Sequence, residues 1–199
     1  NHSRKNYEKS KGTIRLGFIA AGFVCRQKLS QVKKGRTDVL DYEGLREKAK
    51  DIRIDIIRAV YSAGSGHPGG SLSAADILAV LYFDEMKIDP KNPKMPGRDK
   101  FVLSKGHASP GIYAALAERG FFNRDDLVTF RKMGSMLQGH PDMVKVPGIE
   151  MSTGSLGQGI SVAVGMALTN KLDKDPGRIY VLLGDGELQE GLVWEAFMS

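Results

Sequence analysis

Cysteine is nearly absent from this chain of 199 residues, in which Cys25 is the single example. An intrachain disulfide is therefore excluded, and the sequence offers no thiolate-rich metal site. Proteins that lack disulfides are typical of reducing compartments, so we expect a cytoplasmic protein. Long apolar runs are absent too. A membrane-spanning helix needs about 20 consecutive apolar residues, so we expect no membrane partner.

Acidic residues are scarce at only one end of the chain. Residues 1–36 contain ten Lys or Arg and a single acid, Glu8, whereas residues 37–199 contain 19 basic and 22 acidic residues. A face that binds DNA or RNA needs an excess of basic residues within the folded body, so no nucleic-acid partner is expected. We divide the chain into a basic extension of unknown structure, residues 1–40, and a folded domain, residues 41–199.

Apolar residues and glycine are plentiful in the chain as a whole. With 41% apolar residues, 26% charged residues and 24 glycines, the composition is typical of a globular protein with many tight turns. Helical spacing of apolar residues predicts a helix over residues 43–62. Proline and glycines predict a loop over residues 64–72. Ser73 and Asp76 have the spacing of a capping box, which predicts a helix from there to about Met86.

Strands and helices alternate along the rest of the chain. A short, partly β-branched apolar segment predicts a strand over residues 101–104. Helical patterns follow it, first through Leu116 and then over residues 124–132.

A further helix opens at residues 155–159, and Ile160, Val164 and Leu168 are expected on its inner face. The continuous apolar run over residues 179–183 is typical of a central strand that is covered on both sides. Together these elements predict an α/β fold with a parallel sheet and helices on both faces. Ligands of such sheets bind beyond the carboxyl ends of the strands.

The residues that follow the last predicted strand place Asp185 between Gly184 and Gly186. A phosphate cannot approach Asp185, Glu187 and Glu190 without a cation between them, whereas a hard divalent ion would bridge a carboxylate and a diphosphate. The flanking glycines would let backbone amides come close to the anion. The sequence Gly-Asp-Gly is also common in ordinary β-turns, and for this motif by itself the β-turn stays open as the alternative.

Three of the four histidines, His67, His107 and His140, each follow a glycine in a predicted turn. Imidazole can donate to or accept from a substrate hydroxyl or a phosphate oxygen near neutral pH. A turn or N-cap histidine with satisfied hydrogen bonds is the alternative for each one. A zinc site is disfavoured, because the sequence has no close pair of histidines and no cysteine partner.

Five motifs follow one another along the folded part of the chain. They are Ser65-Gly66-His67-Pro68-Gly69, Leu103-Ser104-Lys105-Gly106-His107-Ala108, Gly139-His140-Pro141, Ser152-Thr153-Gly154-Ser155-Leu156-Gly157-Gln158-Gly159, and Gly184-Asp185-Gly186-Glu187-Leu188-Gln189-Glu190-Gly191. In this order they closely resemble the amino-terminal domain of transketolase, over about residues 43–199. The residues after His67 are more similar to the separately encoded amino-terminal subunit of split bacterial and archaeal transketolases.

The resemblance implies the thiamine-diphosphate-binding fold, truncated at its C-terminal end, and two cofactors, thiamine diphosphate and Mg²⁺ or another divalent cation. Asp185 would bind the metal, and Gly186 would meet the diphosphate. The loop of Gly154, Ser155 and Leu156 would contact the cofactor, with Leu156 packing on its rings.

The resemblance also implies roles for the histidines and for one glutamate. His107 would contact the diphosphate and the region of the reactive carbon. His67 would bind substrate and stabilise charge during bond cleavage, and His140 would hold a hydroxyl of the donor sugar. Glu190 would join an acidic network at the subunit interface; an exposed helix charge is the alternative for this residue.

The implied activity is transfer of a two-carbon ketol unit from a ketose phosphate to an aldose phosphate. In the family, an Asn pair beyond the last residue of this chain completes the metal site. The activating glutamate and the groups that hold the sugar phosphate belong to a pyrimidine-binding domain. We therefore expect a pyrimidine-binding partner domain or subunit, a dimer or heterotetramer, and no activity of this chain alone.

Other thiamine enzymes share parts of the pattern, namely deoxyxylulose-phosphate synthase, dihydroxyacetone synthase and phosphoketolase. The residues that follow Gly186 and the turn around His140 favour transketolase over these. A non-catalytic binding subunit with the same fold is an alternative from a different class.

Overall fold

The computed structural model describes residues 40–199, in which there are six α-helices and two β-strands. The predicted basic extension therefore lies, except for Leu40, outside the described residues. The elements are α1 (Tyr42–Ala63), α2 (Pro68–Leu72), α3 (Ala75–Val80), β1 (Lys100–Leu103), α4 (Ser109–Arg119), α5 (Gln158–Asp173), β2 (Ile179–Leu182) and α6 (Gly191–Met198).

Strands β1 and β2 form a parallel pair in which Lys100 lies opposite Ile179 and Leu103 lies opposite Leu182. Parallel neighbours need a long crossover connection, and here that connection contains α4 and α5. The amide of Ser104 donates to the carbonyl of Leu182 at 2.9 Å, so the ladder continues one residue past β1. The carboxyl ends of both strands therefore meet at one edge of the sheet.

Helices cover both faces of the sheet. Successive side chains of each strand point to opposite faces, so the sheet contributes to two cores. Phe101, Leu103 and Leu182 belong to the larger core, together with buried residues of α1, α3 and α4. Val181 packs against a smaller core formed by α5 and α6 around Ile160. The predicted α/β fold with a parallel sheet and helices on both faces is confirmed.

Helix α1 matches the predicted helix over residues 43–62 to within one residue at each end. The carboxylate of Asp41 caps its first turn by accepting from the amide of Gly44 at 2.8 Å. Gly64 ends it with φ of 62°, a left-handed conformation that costs glycine little.

The prediction of a loop over residues 64–72 is wrong in its second half, which forms α2. Pro68 occupies the first helical position, where its missing amide donor and fixed φ are no handicap. The capping box is also wrong. Ser73 has helical dihedral angles and its hydroxyl donates to the carbonyl of Gly70 at 3.2 Å, whereas Asp76 pairs with Arg53. Because α2 leads almost directly into α3, Ser73 lacks the extended backbone that an N-cap requires.

Three smaller expectations also differ from the structure. The predicted helix over residues 124–132 is a 3₁₀ segment, Arg124–Thr129. Leu168, expected on the inner face of α5, is 44% exposed. Strand β2 was expected to be central, but among residues 40–199 it pairs with β1 alone and three of its four residues are half-buried.

None of the helices in residues 40–199 combines the length and the apolar character that crossing a membrane requires.

Candidate functional site

The candidate site lies where the chain leaves the carboxyl ends of β1 and β2. Strand β1 runs into Lys105 and a 3₁₀ turn, Gly106–Ala108, that carries His107. Strand β2 runs into the turn that carries Asp185, which is exposed. Since the two strands are parallel and paired, both turns lie at the same edge of the sheet.

Two histidine rings are in direct contact at this edge. The imidazoles of His67 and His107 lie 5.2 Å apart between ring centroids, in an edge-to-face arrangement. His67 immediately precedes α2 and is exposed, and His107 is half-buried. A Cβ atom at Gly70 would lie 3.6 Å from Nε2 of His107, so α2 packs beside this ring. The chain thus brings together two histidines that are 40 positions apart.

His140 approaches the same region from a third segment. The hydroxyl of Tyr113 donates to the carbonyls of Gln138 and His140, at 3.0 Å in each case, and fixes this turn on α4. A Cβ atom at Gly154 would lie 3.2 Å from Cδ2 of His140, so the imidazole rests against the backbone of the Gly154 loop. His140 is exposed and lies close enough to His107 to affect its charge.

The pKa of His107 is lowered below its ordinary value of 6.5. Partial burial is the largest cause, followed by the positive charges of His67, Lys105 and His140; the carboxylate of Glu187 opposes the shift. The imidazole of His107 is therefore neutral at pH 7. A neutral imidazole can donate from one nitrogen and accept at the other.

The loop over residues 153–157 is fixed tightly against the end of β1. The Thr153 hydroxyl donates to the carbonyl of Leu103 at 2.7 Å. Gly106 comes so close to this loop that a Cβ atom there would lie 2.6 Å from the Thr153 carbonyl oxygen. Such a separation is far below van der Waals contact, so the close approach requires glycine.

Three of the residues expected to contact the cofactor or the subunit interface are open to solvent. Ser155 and Glu190 are exposed, and Leu156 is 37% exposed. A Cβ atom at Gly186 would meet nothing within 4 Å, so the turn after Asp185 is accessible to a ligand. The chain also brings Glu190 beside the Gly154 loop, since its Cβ atom lies 3.1 Å from the position of a Cβ atom at Gly157.

Glu187 does not present its carboxylate to a ligand beside Asp185 and Glu190, as the sequence suggested. It is 2% exposed and points inward. Oε1 accepts from the hydroxyl of Ser104 at 2.5 Å and from the amide of Gly157 at 2.8 Å, and Oε2 accepts from the amide of Gly184 at 2.9 Å. Glu187 lies inside the 3₁₀ segment Gly186–Gln189, whereas Asp185 and Glu190 flank that segment and are exposed; closely spaced carboxylates in a sequence do not reveal this difference.

Lys105 was missed as a functional candidate by the sequence reasoning. It is 8% exposed, and burial lowers the pKa of its ammonium group while the charges of Asp185 and Glu187 oppose that shift. A buried cation beside the Asp185 turn suits an anionic ligand. The signal available in the sequence was its position two residues past β1, since Asp185 lies three residues past β2 at the same edge of the sheet.

Asp185 does not belong to a larger cluster of metal-binding side chains. Within residues 40–199, no group of three or more His, Cys, Asp or Glu side chains is arranged to hold a metal ion. Whatever cation binds at Asp185 must therefore take its other ligands from backbone, water, a phosphate or further protein atoms.

The fold and the site together define an α/β domain with a histidine cluster at the carboxyl edge of a parallel sheet. The family model described as transketolase, thiamine diphosphate binding domain, matches residues 45–198. The chain belongs to this family.

Relatives of the chain include both subunits and long single chains. The 6-deoxy-6-sulfo-D-fructose transketolase subunit of a Clostridium species is 52% identical over 154 residues, which are 77% of this chain and 56% of that protein. Human transketolase is 49% identical over 162 residues, which are 81% of this chain and 26% of that protein. The chain thus spans about half of the subunit relative and about a quarter of the single-chain one.

The same similarity holds in three dimensions. The crystal structure of transketolase from Campylobacter jejuni superimposes with a TM-score of 0.74 at 40% identity, covering 79% of this chain and 26% of that one. These names favour transketolase over deoxyxylulose-phosphate synthase and the other thiamine enzymes considered above.

Proposed function

We propose that this chain supplies the diphosphate-binding half of a transketolase, which transfers a two-carbon ketol unit from a ketose phosphate to an aldose phosphate. The observation that carries the proposal is the meeting of three features at one sheet edge: the contacting rings of His67 and His107, the His140 turn against the Gly154 loop, and the Asp185 turn after β2. Family membership supports the assignment.

The residues at the sheet edge fit thiamine diphosphate and Mg²⁺. Asp185 offers an exposed carboxylate, the type of ligand that Mg²⁺ prefers. The open backbone at Gly186 lets amide groups approach a diphosphate, and the buried ammonium of Lys105 offsets its charge. Leu156 and Ser155 have exposed surface with which to contact the rest of the cofactor.

When bound, thiamine diphosphate supplies the stabilisation of carbanions that ketol transfer requires. The protein's own groups then orient the sugar and move protons. His107, held neutral, is suited to exchange a proton beside the diphosphate. His67 lies against it and would donate to an oxygen on which charge develops, and His140 would hold a sugar hydroxyl.

A partner must complete the enzyme in this proposal. The C. jejuni transketolase chain is about four times as long as the matched part, and the Clostridium relative is named a subunit. We infer a pyrimidine-binding domain or subunit as the partner, assembly as a dimer or heterotetramer, and sugar phosphates as substrates. Exposed Glu190 would lie at the contact with that partner. The single cysteine favours the cytoplasm as the site of action.

Replacement of Asp185 tests the proposal. The complete protein, assembled with its pyrimidine-binding half, is titrated with thiamine diphosphate at fixed Mg²⁺, and ketol transfer is measured with a ketose phosphate donor. We expect Asp185→Asn to weaken cofactor binding at least tenfold, because the amide cannot replace an ionised ligand of a divalent cation. Asp173→Asn, which alters an exposed aspartate at the end of α5, is the matched control and should bind as the wild type does.

Normal cofactor binding by Asp185→Asn would overturn the metal assignment. Absence of both cofactor binding and ketol transfer in the assembled wild-type protein would overturn the proposed function itself.

A further inference from the structure

Glu187 is the only acid in residues 40–199 that accepts hydrogen bonds from both the Gly154 loop and the Asp185 turn. Its carboxylate is buried, and each of its three partners donates: the Ser104 hydroxyl, the Gly157 amide and the Gly184 amide. An acceptor-only carboxylate matches three donors, and hydrogen bonds to an ionised acceptor are about twice as strong as those between neutral groups.

The three donors belong to three different segments of the site. Ser104 follows β1 and precedes Lys105 and His107. Gly157 ends the loop that contains Gly154, Ser155 and Leu156, and Gly184 begins the Asp185 turn. One side chain therefore fixes the relative positions of every segment that carries a proposed contact to the cofactor.

The surrounding backbone is packed to suit this arrangement. A Cβ atom at Gly159, in the first turn of α5, would lie 2.7 Å from the Ser104 hydroxyl. Gly157 has φ of 83°, a left-handed conformation that turns its amide into the interior, where Glu187 accepts from it. The conformation of the surrounding backbone thus accommodates the carboxylate between the Gly154 loop and the Asp185 turn.

Glu187 also acts through its charge. Its carboxylate lies close enough to Lys105 and His107 to favour the protonated form of each, against the opposite effect of burial. Asp185 and Glu187 are the two carboxylates that raise the pKa of Lys105. If the charge of Glu187 were removed, only Asp185 would still do so.

We propose that Glu187 is a positioning residue, which holds the Gly154 loop and the Asp185 turn at the spacing that thiamine diphosphate and its metal require. Glu187 touches neither ligand in this proposal. The inference rests on the proposed function, since it assigns Glu187 a part in building that same site.

The test compares two buried carboxylates in the assembled protein. Glu187→Gln keeps the size of the side chain, but its amide nitrogen cannot accept from an amide donor. Asp55→Asn makes the same change at a fully buried acid whose partner is Arg124 rather than a loop of the site. The dissociation constant for thiamine diphosphate at saturating Mg²⁺ and the melting temperature without cofactor are measured for both variants and for the wild type.

We expect Glu187→Gln to raise the dissociation constant at least tenfold, and Asp55→Asn to lower the melting temperature while the dissociation constant changes less than twofold. Ser104→Ala, which removes one of the three donors, should give an intermediate dissociation constant. Cofactor binding by Glu187→Gln within twofold of the wild type would overturn the inference, as would an equal loss of binding in Asp55→Asn, which would reveal a general effect of stability. Failure of the wild type to bind the cofactor would instead count against the proposed function.

Discussion

At the residue scale, Gly106 packs against the backbone of the Gly154 loop without room for a side chain. The carbonyl of Thr153 occupies the space that a side chain at Gly106 would fill. The Gly-His pattern in the sequence pointed to the histidine that follows this glycine. The structure explains why this position is glycine: without a side chain at Gly106, the Gly154 loop can lie directly on the end of β1.

We expect Gly106→Ala to lower the free energy of unfolding by about 2 kcal/mol, because overpacking against fixed backbone costs roughly 1–3 kcal/mol. Gly165→Ala is the matched control. Gly165 lies inside α5 with nothing within 4 Å of its Cβ position, so alanine there should stabilise the protein by up to about 1 kcal/mol. Urea unfolding of both variants measures the difference, and equal effects at the two positions would contradict the packing explanation.

At the element scale, the sheet has a buried acid beyond each end. Glu187 lies at the carboxyl ends of the strands. Asp99 lies at the amino ends, where Oδ1 accepts from the amide of Arg178 at 2.7 Å and Oδ2 accepts from the amide of Lys87 at 2.8 Å. Asp99 therefore joins the start of β1 to the start of β2 and to the segment that follows α3.

We expect Asp99→Asn to lower the free energy of unfolding by about 2 kcal/mol, because one buried amide donor loses its charged acceptor. Thiamine diphosphate binding should stay within twofold of the wild type, since Asp99 lies at the edge of the sheet opposite to the site. Guanidinium unfolding and cofactor titration of the same preparation make the comparison. A marked loss of cofactor binding would show that the two ends of the sheet are coupled.

Sequence patterns predicted the elements best where the pattern was long. Helix α1 was predicted to within a residue, and both strands were located, because each has a clear period or an apolar run. Helix α2 was missed because its residues Pro68, Gly69 and Gly70 discourage helix on propensity, and tertiary packing beside His107 overrides that preference. The exposure of Leu168 depends on what covers α5, which its spacing cannot reveal.

At the scale of the whole molecule, the histidine cluster depends on contacts between distant segments. Periodicity placed the three Gly-His turns near predicted elements, and only the resemblance implied a shared site for them. Nothing local to Glu187 distinguishes a carboxylate that faces a metal from one that faces the interior. The direction of such a side chain is set by the winding of its turn and by donors that lie up to 83 positions away.

The pH dependence of unfolding reports on this cluster, because His107 is surrounded by charges from several segments. Its pKa is lower in the folded protein than the ordinary value of 6.5, so the unfolded chain binds this proton more readily. The stability contributed by neutral His107 is therefore complete above pH 6.5 and is lost as the pH falls through the lower, folded pKa.

We expect the free energy of unfolding of the wild type to fall more steeply between pH 6.5 and pH 5 than that of His107→Asn, which cannot titrate in this range. Urea unfolding at a series of pH values gives the two slopes. Parallel slopes would contradict a lowered pKa for His107.

The parallel pairing of β1 with β2 has a consequence for how the chain acquires its structure. The hydrogen bond from Arg178 to Asp99 joins positions 79 residues apart, and pairings so remote in sequence form slowly, since a long loop must close before any contact rewards it. During synthesis on the ribosome, β1 emerges well before its neighbour exists. His107, which follows β1, therefore lacks the neighbouring Asp185 turn until translation has passed Leu182.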